Sequence, residues 1–123
     1  MYSVDRQDSR YPVALTTGQR TLGIGTDSTE CSGSTCDKLC ENQGIVNAGT
    51  SCGTNQVYMG LIPADPQSGT HDYVYHSKSV SGGADCTSAL APCGSWYVIN
   101  FDLEGTTAGL PAGARTATPN GIQ

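Results

Sequence analysis

The chain has 123 residues and a formal net charge of −5, with 37% hydrophobic residues, 16 glycines and six cysteines. Its length predicts a single domain, residues 1–123, with residues 1–10 as a linker or added stretch. The acidic balance and scattered basic residues argue against a nucleic-acid site. The sequence has no apolar run of 18 residues that could cross a bilayer.

The cysteines are the first structural signal. Six cysteines in a small chain with few apolar residues predict a disulfide framework and an oxidising compartment. Their spacing does not match the close ligand pairs typical of zinc sites. We expect the two cysteines that flank the Gly/Ser/Ala/Pro loop to pair, and the other four allow three connectivities. The favoured pairs are Cys31–Cys36, Cys40–Cys52 and Cys86–Cys93.

The N-terminal half is mostly polar. Residues 11–13 (Tyr-Pro-Val) are the apolar anchor of its first 20 residues. Leu22 and Ile24 suggest a short extended segment, weakened by neighbouring glycines. Residues 34–42 are predicted to form one or two helical turns, because Ser and Thr open the segment and an acidic residue follows in the first turn.

The C-terminal half contains the predicted sheet. An apolar turn at residues 57–61 ends at two prolines, which disfavour helix before them. Strands are predicted over residues 72–78 and 95–104, with a third over residues 115–118. In the second strand apolar residues alternate with polar ones, which is typical of one buried face. The residues of that face are Tyr97, Ile99, Phe101 and Leu103.

This order of motifs resembles the globular head of type IV pilin-like proteins, including the pseudopilins of type II secretion. The segment Tyr11–Pro12 is similar to the one that follows the helix of that family, and residues 61–66 are similar to its turn before the sheet. Residues 101–105 (Phe-Asp-Leu-Glu-Gly) are similar to its second strand. The turn and sheet residues are Pro63, Asp65, Pro66, Tyr73, Tyr75, Tyr97, Ile99, Phe101 and Leu103.

The resemblance implies an α+β fold. Its expected form is a small antiparallel sheet of three to four strands, with long disulfide-stapled loops, laid on a hydrophobic N-terminal spine helix upstream of this sequence. A sheet with one apolar face needs a cover. We therefore expect either an apolar groove on this domain or a short N-terminal segment that partly fills it.

The implied function is that of a structural subunit of a bacterial extracellular filament, a type IV pilus or a pseudopilus, which acts by polymerisation and surface display. The implied partners are other copies, sister pilins and the pilus assembly machinery. The family is anchored in the cytoplasmic membrane by its helix before assembly. No enzyme activity and no cofactor are expected. The alternative is a secreted cysteine-rich binding protein, lectin-like or an effector, with Trp96 and the tyrosines as a stacking platform.

Other candidate chemistry is sparse. His71 and His76 flank the first predicted strand and are expected at the surface. Asp85 is the best candidate for calcium, which prefers several oxygen ligands. Asp102 and Glu104 share a strand face and could pair as in a glycosidase, but a solvated strand face is the favoured interpretation. No Gly-x-Ser-x-Gly motif supports a hydrolase.

Overall fold

Two antiparallel sheets build the part of the chain that the computed structural model describes. That part comprises residues 10–14, 17–23, 31, 36–40, 44–47, 49–54, 56–67, 71–88 and 92–123. The strands are β1 (Gln19–Thr21), β2 (Lys38–Cys40), β3 (Gly44–Val46), β4 (Val57–Met59), β5 (Val74–Lys78), β6 (Trp96–Leu103), β7 (Gly113–Thr118) and β8 (Gly121–Ile122).

The larger sheet has the order β1-β5-β6-β7-β8. Its central strands β5, β6 and β7 are the three strands predicted near residues 72–78, 95–104 and 115–118, and these predictions are confirmed with small shifts at the ends. Antiparallel pairing places Tyr75 opposite Ile99 and Ser77 opposite Tyr97. These four side chains therefore share one face of the sheet.

The smaller sheet has the order β3-β2-β4. The prediction of helical turns over residues 34–42 is wrong where the structure describes that segment, because Lys38–Cys40 is a strand. Leu39 lies opposite Ile45 on one side and opposite Met59 on the other. Pairing on both sides satisfies the backbone more completely than a single helical turn would.

The predicted α+β class is therefore wrong. Within the described ranges no residue is helical, and the larger sheet has five strands instead of three to four. The second sheet supplies much of the cover that a helix was expected to supply. The core cluster contains Cys31, Cys36, Ile45 and Tyr75, with Leu22, Leu39, Ile62, Tyr97 and Ile99 packed against it.

A short N-terminal segment covers the neighbouring part of the same face. The Tyr75 hydroxyl donates to the carbonyl oxygen of Pro12 at 2.6 Å, and the backbone N–H of Ala14 donates to Ser77 Oγ at 3.1 Å. The backbone N–H of Tyr11 donates to the Gly94 carbonyl at 2.8 Å. Of the two predicted arrangements, an apolar groove or a short N-terminal segment that partly fills it, this contact corresponds to the second.

Glycine permits that close approach. Gly94 has a φ of 89°, and a Cβ there would lie 2.8 Å from the carbonyl oxygen of Tyr11. A side chain would therefore be strained by its own backbone and would also displace the N-terminal segment.

Three disulfides are present, and they are the favoured pairs: Cys31–Cys36, Cys40–Cys52 and Cys86–Cys93. Two of them hold the smaller sheet and its loops, and the third closes the loop between β5 and β6. Cys36 and Cys40 are fully buried. The disulfides thus replace apolar side chains in a core that has few large ones.

No helix long and apolar enough to cross a membrane occurs in the described residues.

Candidate functional site

The Pro-x-Asp-Pro turn, residues 63–66, is held by a hydrogen bond from the backbone to the Asp65 side chain. Asp65 is 5% exposed, and its Oδ1 accepts the backbone N–H of Gln67 at 2.7 Å. Such a side-chain bond to the backbone two residues on stabilises a turn. Pro63 and Pro66, on either side, are exposed. Asp65 therefore stabilises the turn from within.

A second glycine packs this turn against the rest of the molecule. Gly23 has a φ of 81°, and a Cβ there would clash with the backbone of Ala64. The Gly23 N–H donates to the Cys36 carbonyl at 3.0 Å. The turn therefore sits against the junction of the two sheets.

Tyr75 and Tyr97, two of the residues proposed for a stacking platform, pack together in the core. Tyr75 is buried, and its ring stacks on Tyr97 with centroids 5.9 Å apart. Tyr11 meets Tyr97 edge-on at 4.8 Å. Burial, together with the nearby Tyr11, raises the pKa of Tyr97. Trp96 lies opposite Lys78 on the other face of the sheet, so it does not join them. Tyr73, which precedes β5, is half-buried.

An acidic pocket of about 280 Å³ lies beside the end of β6 and collects several predicted residues. His71 Nδ1 donates to Asp102 Oδ2 at 3.0 Å. This hydrogen bond raises the pKa of His71, and the negative charges of Asp102, Asp65 and Glu104 add to the rise. The pocket thus contains Asp102 and Glu104, the two carboxylates that could pair as in a glycosidase. Asp102, however, is hydrogen-bonded to His71.

The Asp85 carboxylate contacts two nitrogen atoms, one from Lys78 and one from His76. Lys78 Nζ donates to its Oδ1 at 2.8 Å, and His76 Nδ1 contacts its Oδ2 at 2.9 Å. Burial pushes the pKa of Asp85 upward, but these two hydrogen bonds outweigh it and hold the pKa below its ordinary value. A carboxylate with both oxygens engaged in this way is a poor calcium ligand.

The His76 ring is held at both nitrogens. Nε2 receives a hydrogen bond from the Asn100 amide at 3.1 Å, while Nδ1 faces Asp85. An amide is not a nucleophile, so this arrangement orients the ring without supplying acyl-transfer chemistry. Among the described residues, no group of three or more His, Cys, Asp and Glu side chains could hold a metal ion.

The two outer residues of the predicted β6 face lie outside the core cluster. Tyr97 and Ile99 pack against the cluster, whereas Phe101 and Leu103 are half-buried further along the strand. Phe101 lies opposite Arg115. The open groove of about 400 Å³ near these two residues is lined mainly from the other face of the sheet, by residues that include Val74, Asn100 and Thr116. The apolar face is therefore packed against the core cluster at one end and half-buried at the other.

An exposed apolar stripe is the feature that the sequence prediction missed. It consists of Val57, Met59 and Leu61, whose exposed fractions are 45%, 45% and 69%. The three residues alternate along β4 and its continuation, and β4 is an outer strand of the smaller sheet. The alternation Val-x-Met-x-Leu was visible in the sequence, but nothing there showed that this face points to solvent.

Comparisons with family models, curated proteins and solved structures found no match. The functional argument therefore depends on the residues themselves.

Proposed function

We propose that this chain is the extracellular head of a bacterial filament subunit of the type IV pilin-like kind, acting by polymerisation and surface display. The observation that carries the proposal is the contact of the Tyr11–Pro12 segment with Tyr75 and Tyr97 of the larger sheet. In the family that the sequence resembles, the corresponding Tyr-Pro segment follows the spine helix, on which the sheet is laid. A contact between the Tyr11–Pro12 segment and the sheet is consistent with that arrangement.

The turn before the sheet supports the same proposal. Asp65 is buried and closes the turn, and the chain then enters β5 through Tyr73. These are the residues on which the resemblance was based, and they lie around one sheet. The proposal concerns function, and it does not depend on the α+β class, which the described residues contradict.

Disulfides support an extracellular setting. All six cysteines are paired, and paired cysteines persist in oxidising compartments. A filament head is exposed outside the cell, where chaperones and repair are absent. Covalent closure of the loops keeps a domain with a thin core folded there.

The alternative of a secreted lectin-like or effector protein has less support. Its stacking platform would need exposed tyrosines, but Tyr75 is 4% exposed and stacks on Tyr97 inside the core. Tyr73 is half-buried, and Trp96 lies on the opposite face of the sheet from Tyr75 and Tyr97. The aromatic residues that the alternative would use therefore do not share one exposed surface.

The test is to shear surface filaments from cells that carry the gene and to identify their components by mass spectrometry. We expect peptides of this chain in the sedimented filament fraction, and we expect them to disappear when the filament motor is deleted. Recovery of the chain in the soluble culture medium, independent of the motor, would favour the secreted binding protein instead.

A further inference from the structure

The Cys86–Cys93 disulfide is the most accessible of the three. All six cysteines lie in the described part of the chain; five of them are buried, and Cys86 is partly exposed. Thiol–disulfide exchange begins when a thiolate reaches a sulfur atom, so access decides which bond reacts first. A reductant should therefore open Cys86–Cys93, through Cys86, before it opens the other two bonds.

One end of this disulfide loop holds the N-terminal segment, residues 10–14, directly. Arg10 Nη1 donates to the Cys93 carbonyl oxygen at 2.9 Å, and the Tyr11 N–H donates to the carbonyl oxygen of Gly94 at 2.8 Å. Arg10 is 7% exposed and Cys93 is 2% exposed. The start of the segment is therefore fastened to the end of the loop that Cys93 closes.

The other end of the loop contacts the segment through Ser77 of β5. The Ser77 hydroxyl donates to the Cys86 carbonyl oxygen at 2.7 Å and accepts the N–H of Ala14 at 3.1 Å. Ser77 is fully buried, and the Cys86 N–H donates to its carbonyl oxygen at 2.9 Å. One hydroxyl thus joins the segment, the strand and the loop, so a loop that leaves β5 weakens the hold on the segment as well.

The disulfide limits how far this loop can move. Its two cysteines have a sequence separation of 7, and a cross-link over so short a distance removes much of the conformational freedom that the loop would gain on opening. Reduction restores that freedom and leaves the backbone contacts of the closed state in place. The closed arrangement therefore stays the ground state, while local opening becomes more frequent.

We propose that Cys86–Cys93 is a redox latch on the N-terminal segment: a dithiol opens the bond, and the segment then leaves the Tyr75–Tyr97 face of the larger sheet more often. A thiolate of the dithiol attacks Cys86 Sγ, the S–S bond breaks, and Cys93 leaves as a thiolate that takes a proton from water. The second thiol, after losing its proton, attacks the mixed disulfide and releases Cys86. Two electrons pass to the cystine, and the dithiol becomes a disulfide. The latch does not depend on the proposed function.

Stepwise reduction of the parent chain tests the order of opening. Dithiothreitol is added in increasing amounts, free thiols are blocked with N-ethylmaleimide, and the labelled peptides are identified by mass spectrometry. We expect the label on Cys86 and Cys93 while the other four cysteines are still paired. Labelling of another pair first, or of all three pairs together, would overturn the latch.

Amide hydrogen exchange tests the release of the segment. The N–H groups of Tyr11 and Ala14 bond to Gly94 and Ser77, so their exchange reports opening. We expect the variant without the latch, Cys86→Ala/Cys93→Ala, to exchange both amides about tenfold faster or more than the parent. The parent chain kept partially reduced in dithiothreitol gives the same comparison without a substitution. Unchanged exchange in both samples would overturn the proposal.

A matched variant separates local opening from loss of overall stability. Cys31→Ala/Cys36→Ala opens a loop of similar length, with a separation of 5, in the part of the core that contains Ile45. We expect this variant to exchange the amides of Tyr11 and Ala14 near the parental rates. Equal acceleration in the two variants would mean that the segment opens only when the whole domain unfolds, which would also overturn the latch.

Discussion

The Cys40–Cys52 disulfide provides a quantitative test of what holds this fold together. Cys40 ends β2, the central strand of the smaller sheet, and it is fully buried. The bond closes a loop with a sequence separation of 12. The chain-entropy relation converts such a loop into about 3 kcal/mol of stabilisation at 25 °C. Since small domains are stable by only about 5–15 kcal/mol, this bond contributes a large fraction.

The perturbation is the double variant Cys40→Ala/Cys52→Ala, measured by urea unfolding with fluorescence of Trp96, the single tryptophan. We expect the free energy of unfolding to fall by about 3 kcal/mol. The matched control, Cys86→Ala/Cys93→Ala, opens a loop with a separation of 7 and should cost about 0.5 kcal/mol less. A loss below about 1 kcal/mol for the first variant would refute the view that loop closure stabilises this thin core.

Three further predictions concern the covered face and the acidic pocket. Ser77→Ala removes a hydroxyl that accepts the backbone N–H of Ala14 and donates to the Cys86 carbonyl, and the free energy of unfolding should fall by about 2–3 kcal/mol because these buried backbone groups lose their partner. Tyr75→Phe removes the hydrogen bond to the Pro12 carbonyl and should lower the free energy of unfolding in urea by about 1 kcal/mol. An unchanged urea midpoint would contradict that contact. In NMR titration, the pKa of His71 should fall toward its ordinary value in Asp102→Asn. The stability from this pair should be complete below about pH 6.5 and lost as the pH rises through the raised pKa.

The sequence predicted the parts of the fold that are set locally. The alternation of residues 97–103 is strong enough to define β6, and its partner β5 is bounded by turn residues. The favoured disulfide pairs are those of the structure, although the sequence left three connectivities open for four of the six cysteines. In each case the signal lies within a few neighbouring residues.

The smaller sheet was not predictable, because its strands are short and are set by distant contacts. Lys38–Cys40 has no apolar alternation, and it becomes a strand because β3 and β4 pair with it on both sides. Gln19–Thr21 is polar and is a strand because it pairs with β5. The exposed stripe was missed for the same reason, since which face of β4 meets solvent depends on where the larger sheet lies.

The central claim is that this chain is the repeating head of an extracellular filament. Electron cryomicroscopy of filaments sheared from cells that carry the gene tests it most directly. The account predicts a helical map in which each outer repeat fits the five-stranded and three-stranded sheets. A map whose subunits are built from a different chain, with no density for these two sheets, would contradict it.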